Sequence, residues 1–145
     1  MTDKPCPFCE IVAGCAPATL IREWDDALAI VPLGPVVDGH VLVIPREHVT
    51  DFADDPDITG ATARRAAQLC RDLNLVHANL ITSRGVHASQ SVFHLHQHLV
   101  PRAENDGLAL PWYSGKSKRG GTQINIQPKP DDAYARGFAA GRRAR

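Results

Sequence analysis

Ser91-Val92-Phe93-His94-Leu95-His96-Gln97-His98-Leu99-Val100 is the longest strand-like run in the chain, and Pro101 stops it. Three of the seven histidines stand in it, at every second position from 94 to 98. Side chains of a strand alternate between its faces, so residues two apart share one. The spacing predicts a row of imidazoles about 6.6 Å apart at their Cα atoms, with Phe93, Leu95 and Leu99 on the other face. An imidazole near neutral pH can attack as the free base or donate as the imidazolium. A row can therefore divide the work, one histidine attacking phosphorus while a neighbour holds anionic oxygens or protonates a leaving group. Zinc is the rival reading, because a His-x-His pair can chelate one ion and a third histidine would complete an open site.

Upstream, the stretch His40 to Ile44 reads as a strand of β-branched and apolar residues closed by Pro45. Ala27 to Leu33 reads as its antiparallel partner across a turn at 34–39, with Pro32 favouring an edge or a bulge. An acidic loop at 51–57 precedes a helix expected from Ile58 to Asn74, with Asp57 as its N-cap. Asn79 to Thr82 is a short strand and Arg84 to Gln90 a loop, while Cys6 to Ala13 forms a short helix ended by Gly14. One main helix among antiparallel strands defines an α+β domain. The edges of such an open sheet invite dimerisation.

The 145 residues suit a single compact domain. No apolar run reaches the roughly 18 residues of a membrane span. The N-terminal segment has neither the basic start nor the apolar stretch of a secretory signal, so the expected compartment is the cytoplasm. Cys6, Cys9, Cys15 and Cys70 are then thiols or metal ligands rather than disulfides. The formal charge is zero, but residues 1–115 carry eight basic and fourteen acidic side chains (net −6), and residues 116–145 carry eight and two (net +6). An acidic body is no nucleic-acid surface. The division expected is a domain at 1–104 followed by a basic, mostly irregular tail at 105–145, loose over 115–132 with a weak helix over 133–140.

Cys6-Pro7-Phe8-Cys9 is a redox motif, half of a zinc site or a pair of buried thiols, and alone it decides nothing. Redox use requires a preceding strand, which is missing here, whereas zinc requires two more ligands that the histidines can supply. His40 and His48 lie near opposite ends of one strand, so they serve different sites. Gln90 and Ser91 offer neutral donors suited to holding a phosphate, as does the loop Ser83-Arg84-Gly85. Arg102 reads as a solvated strand end.

His94-Leu95-His96-Gln97-His98-Leu99-Val100, preceded by Gln90-Ser91-Val92-Phe93, resembles the signature of the histidine triad (HIT) family. The segment Pro35 to Pro45 is similar to that family's other hallmark. The resemblance runs from about Cys6 to Arg102. It implies a HIT-like fold: an antiparallel sheet of about five strands, one main helix and a short N-terminal helix, in a homodimer with one continuous sheet. It also implies a nucleotide hydrolase acting at the α-phosphate of nucleoside phosphoramidates or related conjugates. A covalent nucleotidyl-histidine forms on His96, His98 contacts the phosphate and leaving group, and His40, Gln90, Ser91 and Ser83 line the site. The ligand is a purine nucleotide or nucleotide conjugate, and the chemistry needs no metal. Bacterial members of this kind carry a structural zinc, which the resemblance assigns to Cys6, Cys9, His48 and His94.

Two alternatives follow from the same residues. One is a nucleotidyl transferase or dinucleoside polyphosphate hydrolase, and the other a zinc-stabilised nucleotide-binding module with little catalysis. The chain departs from the family at three places. Pro32 stands where many members have an acidic or amide residue for the ribose, Gln97 replaces an apolar residue, and Ser83 replaces an asparagine.

Overall fold

The computed structural model describes residues 5–110, so the expected coil at 115–132 and helix at 133–140 lie outside the described residues. Helix α1 (Pro7–Val12) is followed by strands β1 (Leu20–Glu23), β2 (Ala27–Ile30) and β3 (Val41–Pro45), helix α2 (Pro56–Asp72), strand β4 (Ala78–Ile81), a 3₁₀ turn (Val86–Ala88) and strand β5 (Gln97–Pro101). The five strands form one antiparallel sheet in the order β1-β2-β3-β5-β4. The expected α+β architecture is what the chain adopts.

Strands β2 and β3 are buried throughout, because both faces of the sheet are covered. Ala27, Ala29, Val41, Val43 and Leu99 pack with Ala66 and Leu69 of α2. Leu28, Ile30, Leu42 and Ile44, on the opposite face by alternation, pack with Phe8 of α1. Register then assigns the residues of β5. His98 is opposite Leu42 and shares the α1 face, whereas Gln97 is opposite Val43 and turns to α2.

The same register explains Gln97 in place of an apolar residue. Its Nε2 donates to the carbonyl of Thr59 on α2 at 3.2 Å, while its buried Oε1 has no partner among the described residues. The polar partner is thus the main helix itself.

Several boundaries move for identifiable reasons. β1 has no counterpart among the strands expected from sequence; it pairs with β2 through an irregular register and a turn closed by Trp24 N–H to Ala27 carbonyl at 2.9 Å. Helix α2 begins earlier than Ile58, and its N-cap is Asp55 rather than Asp57. The Asp55 carboxylate accepts from Asp57 N–H and Ile58 N–H, and Pro56 occupies the first turn, where its missing N–H costs nothing. The strand expected over 27–33 is shorter, since β2 ends at Ile30 and the chain enters the loop containing Pro32.

The larger correction concerns the histidine run. Strand β5 begins only at Gln97, so Ser91 to His96 is not strand. Leu95 N–H donates to Val49 carbonyl at 2.8 Å, outside the sheet, and Phe93 is exposed rather than packed. Arg102 is likewise no solvated end. Its guanidinium binds both carboxylate oxygens of Asp106, the side-chain oxygen of Asn79 and the Leu108 carbonyl, and it holds the Asp106 carboxyl well below its ordinary range. This anchor ties the end of β5 to β4 and to the chain that follows.

Candidate active site and metal centre

Of the three histidines only His98 lies on strand β5, yet all three rings turn to the α1 side of the sheet. His94 turns to one cluster, while His96 and His98 belong to another.

The first cluster is built on α1. Cys6 caps this helix with its sulfur, which accepts from Cys9 N–H at 3.4 Å, so one helical turn places both thiols together. Gly14, at φ +75°, ends the helix in a conformation that side-chain-bearing residues rarely adopt. His48 follows the end of β3, and His94 comes from the irregular run. One ligand atom from each of Cys6, Cys9, His48 and His94 lies within 4.8 Å of all the others.

His94 is fully buried, and its Nε2 is 2.9 Å from the carbonyl of Pro45. A carbonyl only accepts, so Nε2 carries the proton and Nδ1 presents a lone pair. That lone pair faces Cys6 Sγ at 3.4 Å, Cys9 Sγ at 3.5 Å and His48 Nδ1 at 3.1 Å. Cys9 Sγ lies 3.3 Å from His48 Nδ1.

A tetrahedral zinc with ordinary bond lengths has edges of about 3.3 Å between nitrogens and 3.8 Å between sulfurs, so the donor set fits one with small adjustments. The Pro45 carbonyl supplies the outer hydrogen bond that orients a ligating imidazole. Burial, then Cys6 and Glu10, push the Cys9 thiol up.

The second cluster lies on the same face of the sheet, reached through the next two histidines. His96 Nδ1 is 2.8 Å from the carbonyl of His94, which places the proton on Nδ1 and leaves Nε2 as the free lone pair. Thr82 Oγ1 donates to the His96 carbonyl at 2.8 Å and fixes the backbone beneath the ring. The rings of His96 and His98 are 5.2 Å apart.

His40 completes this group. Val36 N–H donates to His40 Nδ1 at 3.1 Å, so Nε2 carries the proton and donates to His98 Nδ1 at 2.9 Å. His98 is left with its proton on Nε2. Burial first, then the neighbouring His96 and His40, lower the His98 imidazole to about 4, and burial lowers His40 as well. Both rings are therefore neutral at pH 7, linked as donor and acceptor. Gly39, at φ +85°, makes the turn that delivers His40 to this position; a Cβ there would meet Pro101 Cγ at 3.1 Å.

His40 and His48 thus part company as the length of β3 requires, one to each cluster. The loop before the histidines is shaped by Gln90, which is buried. Its Oε1 accepts from Gly85 N–H at 2.8 Å, and its Nε2 donates to the carbonyls of Thr50 and Val92 at 2.8 and 3.1 Å. Both Nε2 hydrogens are committed to backbone, so Gln90 braces the loop where a free donor was expected. Ser91 is exposed beside it and Ser83 is half-buried at the start of the loop. Pro32 lies in the loop between β2 and β3 and is half-buried. Thr82, Phe8 and the backbone groups of Val36, Pro45 and His94 were not singled out from sequence. Backbone partners leave no compositional signal.

With this geometry in view, the family is clear. Residues 13–105 match the HIT domain, and the chain belongs to the HIT family. It is 39% identical over 112 residues to an uncharacterized HIT-like protein of Mycobacterium tuberculosis, covering 73% of this chain and 77% of that one. It is 34% identical over 113 residues to the adenosine 5'-monophosphoramidase of Saccharomyces cerevisiae, covering 76% and 71%. Among solved structures, a HIT family hydrolase from Clostridium thermocellum superposes with a TM-score of 0.65 at 33% identity, covering 72% of this chain and 96% of that one. A zinc-bound histidine triad family protein from Mycobacterium smegmatis gives 0.61 at 31% identity, covering 97% and 98%.

The neutral His98 yields a pH prediction. An unfolded histidine takes up its proton near pH 6.5, while folded His98 resists until about 4. The folded state therefore loses stability relative to the unfolded chain as pH falls from about 6.5 towards 4. Following the His98 ring-carbon protons by NMR should give a midpoint near 4; a midpoint at the ordinary histidine value would show the ring to be solvated and the His40 bond absent.

Proposed function

We propose that the chain hydrolyses nucleotide conjugates, nucleoside phosphoramidates first among them, at the α-phosphate through a covalent intermediate on His96. The observation that carries this reading is the hydrogen bond from His96 Nδ1 to the His94 carbonyl. It leaves the nucleophilic nitrogen, Nε2, bare without requiring a general base.

Attack by the Nε2 lone pair forms a phosphorus–nitrogen bond and breaks the bond from phosphorus to the leaving group. His98, neutral and protonated on Nε2, donates a hydrogen bond to the phosphoryl oxygen, His40 fixes that tautomer from behind, and the departing nitrogen takes its proton from solvent. Ser91 and Ser83 supply hydroxyls to the same phosphate, on a loop braced by Gln90. Water then cleaves the phosphohistidine, releasing the nucleoside monophosphate and returning His96 to its neutral state. The monophosphoramidase relative from yeast supports the substrate class.

Cys6, Cys9, His48 and His94 would hold a structural zinc, which with four protein ligands fills its coordination and supplies a tether rather than a Lewis acid. The zinc-bound mycobacterial relative supports this assignment. Thiolate ligands suit a reducing compartment and so the cytoplasm. Among the described residues, no helix is long and apolar enough to cross a membrane. A homodimer is the proposed assembly, supported by β4, an edge strand whose Leu80 and Ile81 are exposed beside Val76.

Three measurements test the proposal. Chromatography should detect AMP released from adenosine 5'-phosphoramidate by the native chain and none above background from a folded His96→Ala variant; equal release from both would remove His96 from the chemistry. Metal analysis of protein purified without added zinc should find one zinc per chain, and a content far below that would refute the tether. Sedimentation should show a dimer at micromolar concentration, against which a monomer would leave the β4 edge unexplained.

A further inference from the structure

Phe8 stands between the two cysteines of Cys6-Pro7-Phe8-Cys9 and is the buried residue of α1. Its ring lies 5.1 Å from that of His96 at 69° and 5.7 Å from that of His94 at 89°. Both are edge-to-face arrangements within the range of aromatic attraction. Phe8 packs with Leu28, Ile30, Leu42 and Ile44 of the sheet face, and Val92 and Ile11 pack against the same cluster. Phe8 therefore cannot retreat from His96 without opening the core.

Among the described residues, the His96 ring has few other restraints. One hydrogen bond fixes Nδ1, and that bond alone does not prevent the ring from rocking about its Cβ–Cγ axis. His98 stands on one side of it at 5.2 Å. Phe8 is the second wall.

We infer that Phe8 is a positioning residue that keeps the His96 ring in its attacking orientation, and that the cysteine pair on either side keeps Phe8 in place. The inference rests on His96 as the nucleophile of the proposed reaction. It gives the Cys₂His₂ cluster a consequence beyond folding: the turn that gathers the two thiols also sets the wall of the phosphate site. Attack on phosphorus demands close alignment, and misplacement by an ångström is enough to slow it by large factors.

The test compares Phe8→Leu with the native protein, both purified with their metal. Leucine preserves an apolar filling against the sheet, so the variant keeps the fold where Phe8→Ala would open a cavity. The expected result is native metal content, a kcat for adenosine 5'-phosphoramidate lower by on the order of tenfold, and a KM changed by less than roughly threefold. NMR of the His96 ring should then show exchange broadening or a second set of signals, because the ring samples a second orientation. A metal-replete Phe8→Leu protein with native kcat and a single sharp His96 ring signal would overturn the inference. So would activity that falls only in proportion to metal lost, which would make Phe8 a support of the cluster alone.

The two readings fail separately. Should His96→Ala retain turnover, the proposed chemistry falls while the NMR response of the ring to Phe8→Leu still measures positioning. Should His96→Ala be inactive and Phe8→Leu indistinguishable from native in both readouts, the chemistry stands and the positioning role falls.

Discussion

His94 is the residue on which the two clusters depend. Its ring is buried and oriented by the Pro45 carbonyl, so its Nδ1 meets the two sulfurs and His48. Its own backbone carbonyl, meanwhile, takes the proton of His96 Nδ1. One residue thus ends the donor set on one side and fixes the tautomer of the next histidine on the other. A substitution that moved the His94 backbone would disturb both. The departure of Ser91–His96 from the sheet follows from the same demand, since a regular strand would give those carbonyls and amides to neighbouring strands.

A chain of neutral tautomers runs through the second cluster. Val36 N–H fixes His40, His40 fixes His98, and His98 presents Nε2–H beside the bare Nε2 of His96. Burial keeps His40 and His98 uncharged, so a donor and the proposed nucleophile coexist at neutral pH without a proton having to be moved between them first. Preorganisation of this kind is achieved by backbone groups, which do not rotate away as long side chains do.

Much of this was legible in the sequence where period and length decide. The apolar strand 40–44 separates His40 from His48 by its own length, and Cys6-x-x-Cys9 on a short helix gathers two thiols. The presence of the main helix, expected over 58–74 and observed at Pro56–Asp72, and the sheet class follow from pattern. The rest depends on partners distant in the chain. Leu95 leaves the sheet for Val49, Gln90 binds Thr50, and Gln97 finds a carbonyl on α2, each far away along the sequence. Arg102 reads as a solvated strand end because Asn79 is distant in the chain and the turn that brings Asp106, four residues on, back to the guanidinium carries no periodic signal. Strand alternation correctly predicts that the three imidazoles share a face, since Phe8 of α1 meets both His94 and His96 and His98 turns to the same side, although only His98 lies on a regular strand.

Backbone carbonyls set the tautomers of His94 and His96, and everything proposed for the site follows from that. Long-range ¹⁵N–¹H correlation spectra of the histidine rings at pH 7 test it most directly. The expected pattern is His96 protonated at Nδ1 with Nε2 bare, and His94, His40 and His98 protonated at Nε2. A spectrum placing the His96 proton on Nε2 would contradict it, because the nitrogen assigned to attack would then have no lone pair to offer.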